Sequence, residues 1–256
     1  MELEVIKTIA LTICFFAVAA LYSSVGHGGA SGYLLILSFL AFTPVQMSAC
    51  ALLLNILVSG LSFYNFSKCG YFSFRFAIPF VITSVPAAFL GGLIKIPAPM
   101  YSLLLGITLL FIAVRLIFEI KFSNNPAKSG IAPSNFLIIG TIGIVIGLLS
   151  GIIGIGGGIL LSPVILLMGW ADVRQTAATS AFFILVNSLA GLSARFIHTE
   201  AAIALPQMLL PYVIIAFSGG LIGSYLGARR FSSPTLKRIL AIVLSGASVK
   251  LIIAAL

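Results

Sequence analysis

Ten apolar runs, each bounded by only a few polar residues, restrict this chain to folds whose helices are solvated by lipid. They cover roughly residues 5–25, 30–42, 46–66, 73–94, 99–120, 134–152, 157–170, 175–197, 203–227 and 233–256. Of the 256 residues, 61% are hydrophobic and 7% are charged, against about 25% charged in soluble domains. One soluble core cannot hide so much apolar surface, whereas a bilayer accepts it. Backbone polar groups inside hydrocarbon must pair internally, and a helix does this within one segment. The expected fold class is all-α, a polytopic, multi-pass protein of the cell (inner) membrane. The first run lacks a convincing cleavage site and reads as part of the mature fold.

The runs fall into two sets of five. Residues 121–133 separate them and read as a cytoplasmic linker, because Lys121 to Gly130 is rich in turn formers and has no apolar period. Residues 1–120 and 134–256 then form two membrane repeats. Val25-Gly26-His27-Gly28-Gly29 matches Ile153-Gly154-Ile155-Gly156-Gly157, Asn55 and Gly60-Leu61-Ser62 match Asn187 and Gly191-Leu192-Ser193, and Pro79-Phe80-Val81-Ile82 matches Pro211-Tyr212-Val213-Ile214. Order is kept throughout, as in a fused duplication. Runs 30–42 and 157–170 are too short to cross about 30 Å of hydrocarbon comfortably at about 1.5 Å per residue. Each follows a glycine-rich stretch. Such interrupted segments at matching places point to the broken helices of secondary transporters, giving about 8–10 transmembrane or re-entrant helices here.

Charge tests the relative orientation of the repeats. If each half crosses an odd number of times, Lys68, Arg75, Arg115, Lys121, Lys128, Arg174, Arg229, Arg230, Lys237 and Arg238 share one side. Lys7, Lys95, Arg195 and Lys250 share the other. That asymmetry follows the positive-inside rule and makes the repeats inverted, with both termini outside the cytoplasm. The net charge of +9 is thereby a topology signal. The cations lie singly or in pairs with few interleaved aromatics, which excludes a nucleic-acid partner.

The glycine stretches are expected to form the tips of broken helices that enter from opposite faces and meet near the midplane. A helix start carries unpaired N–H groups and the positive end of the dipole, and glycines let a ligand approach the backbone. Gly26, Gly28, Gly29, Gly154, Gly156, Gly157 and Gly158 would then line an anion site without a buried Lys or Arg. His27 reads as the only ionisable side chain deep in the membrane, a donor to the anion and a candidate for proton coupling. Asn55 and Asn187 add side-chain donors. Pro79, Pro86, Pro206 and Pro211 read as kinks. Glu2, Glu4, Glu119, Asp172 and Glu200 all lie near run ends or loops, so no buried carboxylate serves a cation. Three cysteines without CxxC spacing imply neither metal nor disulfide framework. No HExxH or GxSxG motif is present, so no catalytic residue, metal or cofactor is expected.

At these residues the chain resembles the sulfite exporter TauE/SafE family, also called the toluene-sulfonate uptake permease family. The segment Val25 to Tyr33 is similar to its first signature. The segment Gly147 to Gly158 followed by Pro163 is similar to its second, G-x-G-G-G-x-x-x-x-P, and Ala177-Ala178-Thr179-Ser180 is also family-like. The resemblance implies a permease or exporter for small anions such as sulfite, thiosulfate, sulfonates or sulfoacetate. An anion channel or a non-transporting membrane subunit is the alternative, and homo-oligomer formation stays open. The charge bias makes a direct prediction. Green fluorescent protein fused after residue 125 fluoresces inside the cell, and alkaline phosphatase inserted there is inactive. The reverse pattern would overturn the orientation.

Overall fold

The computed structural model describes residues 2–40, 42–122, 136–198 and 210–230, with Val249 and Ile252 as isolated helical positions. Most of the expected linker and most of the tenth run lie outside these residues. Every regular element among them is helical: α1 (Glu2–Ser23), α2 (Ala30–Ser38), α3 (Pro44–Lys68), α4 (Phe74–Leu93), α5 (Ala98–Phe122), α6 (Phe136–Ile153), α7 (Gly158–Leu167), α8 (Val173–His198) and α9 (Leu210–Arg229). Six of them, α1, α3, α4, α6, α8 and α9, are long and apolar enough to cross a membrane.

Helix boundaries follow local chemistry. Thr43 and Gln46 form a capping box at α3, and Pro44 occupies its first position. Asp172 caps α8, its Oδ1 accepting from the N–H groups of Arg174 and Gln175 at 2.8 Å each. Pro79 and Pro86 lie inside α4. Pro211, expected at a kink, instead stands in the first turn of α9, where a missing N–H is tolerated. Pro206 lies outside the described residues.

The nine-residue α2 is about 14 Å long at 1.5 Å per residue and cannot span. It folds back along α1. The Ser31 hydroxyl donates to the Tyr22 hydroxyl at 2.8 Å, Gly32 abuts Val18, and Tyr33 stacks on Phe15 with centroids 5.8 Å apart. The α1–α2 unit is thus a re-entrant hairpin, and α6–α7 repeats it.

Contacts between helices set their directions. Gly143, Gly147 and Gly151 of α6 abut Phe80, Ser84 and Ala88 of α4 in ascending order. Gly219, Gly223 and Gly227 of α9 climb α1 in the same way, against Phe16, Ala20 and Ser24. These pairs are therefore parallel. Small residues at each step let backbones approach closely, the usual adhesive where lipid removes the hydrophobic drive. The central helices α3 and α8 are antiparallel, with Ser48 bonded to Arg195 near one end and Asn55 to Ser188 midway. Asn65 bonds Ser224, and Val58 touches Gly220, so α9 runs with α3. Phe74 packs on Phe182, and Gly92 touches Ala194, so α4 runs with α8.

Helices α1, α3 and α9 thus point one way, and α4, α6 and α8 point the other. Each helix of the second half opposes its counterpart in the first, the arrangement an inverted repeat requires. Exchanging the halves maps Gly26 onto Gly154, Ser48 onto Ala177, and Asn55 onto Ile184. Gly26 abuts Ala177 while Gly154 abuts Ser48, and Gly28 abuts Asn55 while Gly156 abuts Ile184. The contact register therefore pairs Asn55 with Ile184, not with Asn187. Helices α3 and α8 form the buried centre. The outer helices expose large apolar side chains such as Ile13, Ile82, Leu137 and Ile214, as a lipid-facing surface does.

Candidate functional site

Helix α1 stops in a Schellman motif. The Gly26 N–H donates to the Ser23 carbonyl at 3.1 Å and the His27 N–H to the Tyr22 carbonyl at 2.9 Å. Gly26 has φ +78°, a left-handed conformation that glycine adopts without a Cβ penalty. The chain then reverses through Gly28 and Gly29 into α2. At the second tip α6 ends at Ile153, and Gly154, Gly156 and Gly157 all have positive φ. Gly29 and Gly157 are the N-caps of α2 and α7, and neither cap supplies a side-chain hydrogen bond. Two helix starts whose own cap residues are glycines, each the positive end of a dipole, are therefore buried in the interior.

One side chain joins them. Asn55 is fully buried at the middle of α3. Its Oδ1 accepts the Ala30 N–H, at the start of α2, at 3.0 Å. Its Nδ2 donates to the Ile155 carbonyl of the other tip at 3.1 Å and to Ser188 Oγ at 3.4 Å. A Cβ at Gly28 would sit 2.2 Å from Asn55 Oδ1, and one at Gly156 would sit 2.6 Å from Asn55 Nδ2. Asn55 thus occupies the gap between the tips. Its donors are committed to holding them, not held in reserve for a ligand.

His27 crosses between halves. Its Nε2 lies 2.8 Å from Ser162 Oγ on α7, and Ser162 Oγ lies 2.7 Å from Ser180 Oγ on α8. Ser162 also donates to the Gly158 carbonyl at 2.9 Å. The imidazole therefore begins a chain of hydroxyls behind the second tip. Exchanging the halves maps this trio onto Ile155, Leu34 and Ala51, which are apolar and buried.

Of the glycines expected at the site, Gly28 and Gly156 abut Asn55, whereas Gly26 abuts Ala177, Gly29 abuts Tyr33, Gly154 abuts Ser48 and Gly157 abuts Phe183; His27 reaches Ser162 instead. Gly158 packs against Ile184 and the Ser180 carbonyl. Asn187 does not join the bridge. Its Nδ2 donates to the Phe183 carbonyl one turn back at 2.9 Å, and its Oδ1 is buried without a hydrogen bond among the described residues.

The expectation that no Lys or Arg is buried fails at Arg195, which is only 7% exposed. Its Nε donates to Ser48 Oγ at 2.8 Å, Nη1 to the Gly191 carbonyl at 3.2 Å, and Nη2 to the Gly151 and Ile152 carbonyls at 2.8 and 3.1 Å. Counting charges between runs assigns Arg195 to a membrane face. Its position inside run 175–197, four residues after Gly191, is the signal that places it on a buried helix face. Ser48 and Ser162 escape sequence reasoning as well, since single serines in apolar runs carry no distinguishing pattern.

Three comparisons bear on this arrangement. The family described as sulfite exporter TauE/SafE matches residues 11–251. The "Probable membrane transporter protein y4hK" of Sinorhizobium fredii is 36% identical over 258 residues, covering 96% of this chain and 98% of that protein. The "Probable membrane transporter protein YunE" of Bacillus subtilis is 27% identical over 219 residues, covering 79% and 78%. No solved structure matches the chain.

The bridge makes a stability prediction. Asn55→Ala orphans the Ala30 N–H and the Ile155 carbonyl, at about 1–3 kcal/mol for each buried group. Asn187→Ala removes one bond within its own helix and costs about 1 kcal/mol. Thermal unfolding of the purified protein should therefore show a clearly larger drop in midpoint for Asn55→Ala. Equal drops would contradict the bridging role.

Proposed function

Because the chain belongs to the sulfite exporter TauE/SafE family of membrane transporters, we propose that it is a secondary carrier for a small, sulfur-containing anion. Sulfite, thiosulfate, a sulfonate or a sulfoacetate-like compound fits the class. The anion binds near the midplane between the two glycine-rich tips, and the inverted halves move against each other to give alternating access. The observation that carries this reading is the meeting of two glycine-started helices at one buried bridge. A helix start needs no cationic side chain to favour an oxyanion, and glycines leave its N–H groups approachable.

In this reading the Asn55 bridge represents the closed arrangement. Binding separates the tips, and the anion takes over the donors of Gly28, Gly29, Gly156, Gly157 and Gly158. Asn55 then turns its amide toward the ligand, with Asn187 one turn away on α8. His27 contributes a donor, and its link through Ser162 to Ser180 ties protonation to the position of α7. Proton coupling is part of the proposal, since imidazole is the side chain whose charge changes near neutral pH. Outward-facing apolar helices place all of this in a multi-pass protein of the cell membrane.

Counterflow in proteoliposomes tests the carrier reading. Labelled sulfite, thiosulfate, sulfoacetate or taurine should exchange against unlabelled anion with saturation. Folded Gly28→Leu or Gly156→Leu protein should show none, because the new side chain fills the Asn55 contact. Flux that never saturates, or counterflow retained in both variants, would overturn it. His27→Gln should flatten the pH dependence of uptake, since imidazole is the side chain whose charge changes near neutral pH. An unchanged profile would remove the proton from the mechanism.

A further inference from the structure

Arg195 breaks the correspondence between the two halves while holding the last carbonyls of α6. Exchanging the halves maps it onto Phe66, which is 2% exposed and clusters with Ala177, Ala178 and Ala228. Ser48 beside Arg195 maps onto Ala177 beside Phe66. The same packing role is thus filled by a phenyl ring at one end of the molecule and by a guanidinium at the other. A buried guanidinium carries a desolvation cost that a phenyl ring does not, so its presence at one end alone points to a use other than packing.

That end contains a cleft of about 120 Å³, lined by Ser48, Lys95, Tyr101, Ile152 and Arg195 together with apolar residues that include Val45 and Ile94. At about 30 Å³ per water it holds about four waters, enough for a small oxyanion and part of its hydration. Two of its lining residues are cations, and none of its described lining residues is acidic. Lys95 is exposed at the start of the α4–α5 connection. Arg195 is fixed in the wall by bonds from Nε, Nη1 and Nη2. An oxyanion in the cleft would meet a charge already oriented, without the entropy cost of ordering a long side chain.

The cleft also adjoins the second tip. The Gly151 and Ile152 carbonyls held by Arg195 lie immediately before Gly154, and the Tyr101 hydroxyl donates to the Ile153 carbonyl at 2.9 Å. An anion drawn toward the guanidinium competes for the donors that pin the end of α6, so arrival loosens the last turn before the tip. We propose that this cleft is a second anion site, a vestibule that captures an oxyanion on Lys95 and Arg195 before it reaches the tips. It deepens the anion reading, from which it takes only the class of ligand. By the charge bias of the chain it opens on the extracytoplasmic face.

The test reads the cleft without transport. Ile94→Cys is made in a background with Cys14, Cys50 and Cys69 replaced by Ser, and the protein is placed in lipid nanodiscs. The anionic sulfonatoethyl and the cationic trimethylammonioethyl methanethiosulfonates are compared, each normalised to its rate with a free thiol. The anionic reagent should react faster by about tenfold or more, as charge-lined clefts concentrate counter-ions. Methanesulfonate should slow it more than chloride at equal ionic strength. Lys95→Gln should shrink both effects, and Arg195→Phe, which copies the Phe66 end, should abolish them. Equal normalised rates, or protection by methanesulfonate no better than by chloride, would overturn the proposal. If Arg195→Phe does not fold, the protection measurement and Lys95→Gln still decide. Failure here leaves the counterflow result standing, and failure of counterflow leaves the vestibule standing.

Discussion

A helix cannot stop inside hydrocarbon unless something answers the backbone groups it leaves open. Here the one group that answers both tips at once is a carboxamide. Asn55 presents an acceptor to the first N–H of α2 and donors to the carbonyl of Ile155 and to Ser188. An amide is the only uncharged side-chain group that offers two donors and an acceptor with two lone pairs. The glycines follow from that bond. Gly28 and Gly156 lie so close to the amide that a Cβ at either would overlap it, and the reversals on either side need backbone angles that favour glycine.

The rest of the bundle is arranged outward from this contact. Helices α3 and α8 carry Ser48, Ser59, Ser62, Thr179, Ser180, Asn187 and Ser188, all buried. Helices α1, α4, α6 and α9 turn their large apolar side chains to lipid. Hydroxyls and amides thus share the interior with a large apolar cluster, while other isoleucines face outward. Lipid gives apolar surfaces little reason to associate, so close approach at small residues and hydrogen bonds must supply cohesion. The glycine ladders of α6 and α9 serve this purpose on opposite flanks of the centre.

Much of this is legible in the chain. Segment length exposes α2 and α7 as interrupted elements too short to cross comfortably, but leaves open whether each is re-entrant or spanning. Order-preserving matches raise the expectation of a duplication, and the opposed helix directions do not contradict it. The family is legible in two signatures that are weak singly and specific together. Three things are not legible. Asn55 resembles Asn187 in type and approximate place, but a three-residue shift in register on α8 separates a bridge from a local helix bond, and residue identity carries no register. The burial of Arg195 is hidden, because counting charges between runs ignores where a residue lies within one. The His27–Ser162 contact joins residues 135 positions apart, and no local pattern records such a pairing.

The His27, Ser162 and Ser180 chain has a consequence that lies in energy levels. In a transporter built from two identical, oppositely directed halves, the inward- and outward-facing shapes would be related by exchange and equal in free energy in the absence of an external gradient. Every difference between the halves lifts that degeneracy. Polar contacts made by one half, where the other has Ile155, Leu34 and Ala51, are formed and broken in different members of the conformational pair. In the carrier proposed above, the empty protein therefore has a preferred resting side, written into three positions that a perfect copy would have kept the same. A difference of about 1.4 kcal/mol already makes one side tenfold more populated than the other. In such a carrier, three unmatched positions are enough to give a nearly symmetrical architecture a direction of rest.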